Sequence, residues 1–473
     1  MRSRPCLRFC FTILYAEATL GGSTQHPSDI IKRLTEGDGA PLSVIDVRDL
    51  PPLMHLWRRH SAVNRLGLLH GSPEGAALAD CLAEDPVLGA TVDRLHRPLV
   101  DADCRLSRET TDALYPHRIT LSQSKIDRYV KCPFSYVCTH ALRLKADRVI
   151  SFDYADIGTL VHAIIERFFE KWGQDIKTVG AYSEKERHAE IDHVIEEELC
   201  AIFFDEELKT PRLLHLIRTL TREAYLLLDE LVRELCQGAF VPRFFEMSMT
   251  AAGEDAPGTR VITLEDGTAV TLAGYIDRVD IFRDEDGTVY LRVIDYKTGN
   301  ERFSPDNVAR GLNIQLLLYL VSLWKSENPR FRESLDAREL KPAAMLYVGA
   351  RTADKLFDSP QDREAVQKAA LSGVYRRGLC LDEPRVLAAM DSTGSGRYLP
   401  VRFNKDGSLR AGDEKYLLTL EGIGDLADQM DAAIRRIGEG MKSGNAKASP
   451  LVEKNRNPCK YCDMKAVCRS STM

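Results

Sequence analysis

Val293–Gly299 reads VIDYKTG, and the upstream run Thr268–Phe282 reads TAVTLAGYIDRVDIF. Alternate residues of a strand share a face, so Asp295 and Lys297 point the same way out of an otherwise apolar, β-branched run. The ordinary reading is a solvent-facing ion pair, because charges are common on exposed strand faces. The sharper one is a metal-dependent active site. The RDEDG stretch between the two runs reads as a turn, which makes them an antiparallel hairpin and brings Asp277 toward Asp295 and Lys297. Two carboxylates can hold a hard cation such as Mg²⁺ or Mn²⁺, and the Tyr296 carbonyl can add an oxygen. Lys297 can orient or help deprotonate a water and steady developing phosphate charge. These are the parts of metal-assisted phosphodiester hydrolysis.

Residues on either side can join this set. IGTLVHAIIERFFEKW (157–172) has helical periodicity, with Leu160, Ile164, Ile165 and Phe168 near one face. His162 lies on that helix and can supply a neutral imidazole ligand, although a lone helix histidine is often structural. Glu166, four residues on, shares its side of the helix and can reach a metal through water. NIQLLLYLVSLWK (313–325) is a further helix that spaces Gln315 and Tyr319 by one turn. Their polar ends can face a phosphate or Lys297, or Tyr319 can be a core aromatic with a satisfied hydroxyl. Helical patterns over 183–237, then the hairpin, then a helix and the strand PAAMLYVGA suggest an α/β core with a helical insertion.

With 473 residues, 44% of them apolar, the chain can form two or three domains. A net charge of −6 argues against a uniformly basic nucleic-acid binder but leaves room for a local basic groove. No uncharged apolar run of about 18 residues suggests a membrane span. The opening MRSRPCLRFCFTILYAEA loosely imitates a secretory leader, but Arg8 interrupts it, and a cytoplasmic location is expected. Among 12 cysteines, Cys459, Cys462 and Cys468 crowd the C-terminus with C-x₂-C-x₅-C spacing. Such a cluster binds zinc or an iron–sulfur centre, and its fourth ligand must come from elsewhere. LSQSKIDRYVKCP (121–133) reads as a helix capped by Ser122 or Ser124 and broken at Pro133. Lys454, Arg456, Lys460, Lys465 and Arg469, with Tyr461 among them, form either a solvated basic face or part of a DNA path. Lys125, Arg128 and Lys131 are open to the same two readings. VRFNKDGSLRAG (401–412) reads as a hairpin turn rather than a binding loop.

His162 in GTLVHAIIE, Asp277 in GYIDRVD, then IDYKTG and QLLLY, in this order, resemble the RecB-type PD-(D/E)xK nucleases. Cys132 in KCPF, followed far downstream by the three terminal cysteines, narrows the resemblance to AddB-type nuclease domains over about 118–470. The resemblance implies a restriction-endonuclease-like α/β core, a central mixed sheet flanked by helices, with helical insertions and an iron–sulfur clasp. It implies Asp277 and Asp295 as metal ligands, Lys297 as the catalytic lysine and His162 as a further ligand. Gln315 and Tyr319 match the helix motif after the core, and Asp in place of Glu at 295 is normal for this branch. A [4Fe-4S] cluster is implied on Cys132, Cys459, Cys462 and Cys468, with Cys138 the rival for the first position. The implied activity is a Mg²⁺- or Mn²⁺-dependent DNA exonuclease, acting on single-stranded or unwound ends in double-strand-break repair and recombination beside an AddA-type subunit. The competing readings are a catalytically silent DNA-binding scaffold and a stand-alone CRISPR-adaptation-type nuclease. The expected division is 1–117 as a remnant of an upstream helicase-like region or an N-terminal extension, and 118–473 as the nuclease. No G-x₄-G-K-[ST] phosphate loop occurs, so unwinding would need a partner, and the chain is expected to be a truncated or stand-alone version of a larger subunit.

Overall fold

A computed structural model of the chain places the hairpin at the centre of a six-stranded sheet. The structure describes residues 59–69, 72–96, 104–145, 154–172, 183–202, 211–250, 256–297, 299, 301–349, 374–404, 406–453, 457–465 and 467–468. The strands are β1 (Arg118–Leu121), β2 (Val241–Ser248), β3 (Val261–Thr263), β4 (Ala269–Leu272), β5 (Tyr275–Arg283), β6 (Thr288–Lys297), β7 (Glu339–Gly349), β8 (Arg376–Leu381) and β9 (Leu417–Leu418). The large sheet runs β2-β5-β6-β7-β8-β9, and β1-β4-β3 form a small second sheet. Pairing is antiparallel for β2/β5, β5/β6 and β7/β8, and parallel for β6/β7 and β8/β9. This is the mixed α/β sheet expected from the sequence.

The helices are α1 (Arg59–Leu68), α2 (Pro73–Ala83), α3 (Gly89–His96), α4 (Arg108–Leu114), α5 (Gln123–Lys131), α6 (Pro133–Tyr136), α7 (Tyr154–Trp172), α8 (Glu184–Ile202), α9 (Pro211–Gln237), α10 (Gln315–Trp324), α11 (Pro329–Ser334), α12 (Pro384–Met390) and α13 (Leu420–Lys442). The chain divides into two units, Met1–Ala102 and Asp103–Met473. In the first, Leu66, Ala79 and Val92 form a small core. In the second, Leu106 N donates to Gly444 O at 2.8 Å and Ala446 N to Cys104 O at 2.7 Å, so residues 104–106 run beside 444–446.

One local expectation needs correction. Residues 268–282 are not one strand. The run divides between the two sheets at Ala273–Gly274. Gly274 lies against the Tyr319 ring, where a Cβ would fall 2.5 Å from the hydroxyl oxygen, so the chain crosses a gap that only glycine fits. The break expected at Pro133 is present: α5, capped by Ser122 through the Lys125 amide, ends at Lys131, Cys132 is extended, and Pro133 opens α6 as a first-turn proline.

β6 is also more deeply placed than a half-buried strand. Every residue from Thr288 to Tyr296 is buried. A parallel β6–α10–β7 crossover covers one face of the sheet and the insertion helices cover the other. Val289, Leu291 and Val293 pack with Leu316 and Leu320 of α10 and Met430 and Ile434 of α13. Tyr290 and Ile294 pack with Ile164 and Phe168 of α7 and Leu227 and Leu231 of α9.

The α9 side also buries charge. Arg292 donates to Asp280 at 2.6 Å and to Glu234 of α9 at 3.2 Å. Arg376 Nε donates to the other Glu234 oxygen at 2.9 Å. Arg278 pairs with Asp280 at 2.9 Å and donates to the Tyr296 hydroxyl at 2.5 Å. No helix among the described residues is long and apolar enough to cross a membrane.

Candidate active site

The last paired residues of the hairpin at its open end are Arg278 and Ile294. One step further, β5 carries Asp277 and β6 carries Asp295. The Asp277 carboxylate accepts from Tyr296 N at 2.8 Å, which fixes it against the strand end. Asp295 is 1% exposed and has two partners. Gln315 Nε2 donates to its Oδ1 at 2.9 Å, and the Lys297 ammonium lies 2.5 Å from its Oδ2. Gln315 also donates to the Tyr319 hydroxyl at 3.3 Å, and Lys297 lies over the Tyr347 ring. Of the α10 pair, Gln315 thus orients Asp295 and Tyr319 steadies Gln315.

His162 reaches the hairpin from α7. Its Nε2 lies 3.0 Å from the Tyr296 carbonyl oxygen. Its Nδ1 lies 3.4 Å from Asp277 and 3.8 Å from Glu246. In the neutral form that a ligating histidine takes, Nε2–H would donate to the carbonyl and Nδ1 would turn its lone pair toward the metal side of the two carboxylates. The Tyr296 carbonyl, expected as an oxygen ligand, thus also orients the imidazole. Glu166, one turn on, adds charge to the same neighbourhood; its carboxyl is raised by burial and by Glu246.

Glu246 was missed by sequence reasoning. It sits inside β2 with φ +42°, a left-handed backbone that a non-glycine residue adopts only under constraint. The one available signal was an acidic residue in the aromatic run FFEM. His162, Glu246 and Asp277 each offer a ligand atom within 4.8 Å of the others.

The electrostatics suit a cation. Burial and then the Asp295 charge push Asp277 up to about 7. Burial raises Asp295 as well, against the pull of Lys297. For His162, burial opposes the charged ring, but Glu246, Asp277 and Asp295 outweigh it and raise the pKa to about 9. The carboxylates crowd around the one imidazolium, and a divalent ion would relieve that crowding. Burial likewise works against the Lys297 charge, and Asp295 reverses it, so the lysine stays cationic.

The cysteines lie elsewhere in the same unit. Cys132 joins α5 to α6, and the chain after α13 runs beside it. Phe134 N donates to Lys447 O at 3.2 Å and Leu451 N to Lys131 O at 2.9 Å. The Cys462 sulfur lies 4.0 Å from Ser135 Oγ. Burial raises the Cys132 thiol, and Cys468 and Cys462 raise it further. Cys138 feels the same three sulfurs. Among the described residues, no three-ligand group closing to within 4.8 Å includes a cysteine. Lys454, Arg456 and Arg469 lie outside the described residues. Lys465 donates to the Lys460 carbonyl at 2.8 Å, and Tyr461 is 82% exposed.

Residues 120–469 match the family model described as the PD-(D/E)XK nuclease superfamily. The chain belongs to that superfamily. The nuclease is also similar to the AddB proteins, each named as one of the subunits of an ATP-dependent helicase/deoxyribonuclease. It is 28% identical over 383 residues to the one from Clostridium acetobutylicum, covering 78% of this chain and 31% of the relative. It is 30% identical over 370 residues to that of Clostridium botulinum (strain Loch Maree / Type A3), covering 76% and 31%. It is 30% identical over 373 residues to that of Acetivibrio thermocellus, covering 78% and 31%. The nuclease thus spans about a third of the length of the curated relatives it matches. The expected resemblance to AddB-type nucleases and the expected core fold are borne out.

Proposed function

We propose that this nuclease is a Mg²⁺-dependent DNA exonuclease that trims single-stranded or unwound ends in double-strand-break repair and recombination. It would work in the cytoplasm with an AddA-type helicase–nuclease subunit. The observation that carries this reading is the meeting of two sets at one hairpin end: His162, Glu246 and Asp277 as donors, and Asp295 with Lys297. A cation held by the donors would polarise the scissile phosphate and lower the pKa of a nearby water. The protein's own groups do the rest. Asp295, fixed by Gln315, would be a further ligand of the cation and holds the Lys297 ammonium toward the phosphate, where it orients the attacking water and offsets charge building on the phosphate oxygens. Tyr296 fixes His162 through its carbonyl and Asp277 through its amide, so the donors are set before substrate arrives.

Glu246→Gln is expected to weaken Mn²⁺ binding by at least about 10–100-fold, the usual cost of losing even an outer partner of a metal ligand. Titration calorimetry reads this without any substrate. Unchanged affinity would remove Glu246 from the donor set.

We further propose that Cys132, Cys459, Cys462 and Cys468 hold a [4Fe-4S] cluster that clasps the two ends of the nuclease. A zinc tetrahedron with bonds of about 2.3 Å needs sulfurs roughly 3.8 Å apart. Among the described residues no three of these thiols lie within 4.8 Å of one another, so a zinc tetrahedron is not preformed. Anaerobically purified protein is expected to carry iron and acid-labile sulfide, lost in Cys132→Ala and kept in Cys138→Ala. Stoichiometric zinc without iron would reject the assignment.

A further inference from the structure

A cleft of about 780 Å³ opens beside the start of β8, lined by Arg397, Arg402, Arg410, Phe403, Tyr375 and the buried Arg376. It lies at the same end of the sheet as the site. Gly349 is in register with Lys297 and donates to the Tyr375 carbonyl at 3.0 Å. Tyr375 is therefore two strand spacings from Lys297, about 10 Å. Its hydroxyl donates to Gly299 O at 2.7 Å, just past the VIDYK strand. Arg377, in register with Tyr347 and through it with Asp295, stacks on the Tyr375 ring at 3.8 Å. A tyrosine and a guanidinium thus link the site to the cleft.

Positive charge exceeds negative in the cleft wall. Arg376 shares Glu234 with Arg292. Arg397 donates to Glu230 at 2.7 Å. Arg402 pairs with Asp413 at 3.2 Å, and the same carboxylate lies in the field of Arg410. Nearer the site, burial and the neighbouring Arg302 hold Arg377 below its ordinary value. The wall also carries an aromatic platform. Phe403 is 36% exposed and rests on Gly396, whose added Cβ would fall 2.9 Å from the ring. Phe403 and Leu409 form an antiparallel bridge, so the 401–412 segment is the hairpin its sequence suggests and a cleft wall besides.

We infer that this cleft binds the backbone of a single DNA strand next to the phosphate held at the hairpin. Its guanidiniums would contact phosphates and Phe403 would stack on a base. Cationic grooves with stacking rings are how single strands are held without sequence preference, and a paired duplex would not present base faces to Phe403. The inference rests on the nuclease reading of the neighbouring site.

The test measures binding and cutting separately, on the full chain. Fluorescence anisotropy with a long oligothymidylate in EDTA reads binding alone. Arg410→Ala combined with Phe403→Ala, both at exposed positions, is expected to weaken binding about tenfold, with the salt dependence shallower by about 0.7 for each phosphate no longer neutralised. Arg377→Ala should weaken it in the same direction. Cleavage of a dinucleotide, too short to reach the cleft, should stay at the parental rate. Parental affinity and salt slope in the double variant would overturn the cleft. Weakened binding beside a parent that never cuts would keep the cleft and overturn the nuclease reading instead.

Discussion

Lys297→Ala is expected to lower Mg²⁺-dependent cleavage of end-labelled single-stranded DNA by about 10²–10³-fold, the range for removing one charge-stabilising donor from a transition state. The substitution removes the cation that lies 2.5 Å from Asp295 and leaves His162, Glu246 and Asp277 in place. Mn²⁺ affinity should therefore hold while the cleavage rate falls, which separates a role in the chemistry from a role in metal binding. Asp295→Ala should abolish cleavage as well, since it frees both Lys297 and Gln315. Absence of Mg²⁺-dependent cleavage by the cluster-loaded parent protein would sink the catalytic reading and favour the silent scaffold.

Glu234→Gln should cost about 3–5 kcal/mol of stability, the range for breaking a buried ion pair from one side. Glu234 is 1% exposed, and its two oxygens serve Arg292 and Arg376. The amide keeps the shape but leaves two buried guanidiniums short of a counter-charge. Burial alone would raise the Glu234 carboxyl; Arg376, Arg292 and Arg278 reverse that and hold it below the usual glutamate range. Its stabilising contribution is thus present above the ordinary glutamate pKa and fades only as pH falls through the lower folded value. Urea unfolding of the second unit's transition reads the loss. A change under about 1 kcal/mol, the size of an ordinary surface substitution, would show that the network is dispensable.

The sequence made the hairpin legible because strand parity and a turn signal sufficed to bring Asp277, Asp295 and Lys297 together. Ser122 as a cap and Gln315 with Tyr319 on one helix turn followed from equally local rules. Glu246 did not, because its place depends on a left-handed residue inside β2 and on which strand pairs with β5. The break at Gly274 was hidden for a similar reason: the Tyr319 ring that requires it lies far along the chain. The burial of Arg278, Arg292 and Arg376 was not foreseen, since no local pattern announces that the 211–237 helix will cover them. The 401–412 hairpin was read correctly as a turn, but the neighbours that make it a wall come from β8 and the segment after α12.

The contact of residues 104–106 with 444–446 has a consequence for the order of events during synthesis. Arg105 and Asn445 form a backbone bridge across almost the whole second unit. Every residue of the hairpin site, from His162 to Tyr319, leaves the ribosome well before Asn445 does. The site can therefore assemble while the ends of its unit are still apart, and the terminal cysteines arrive later still. A chain stalled near the end of α13 would present a formed site on an unlatched body, with long-range contacts, the slowest to form, still missing.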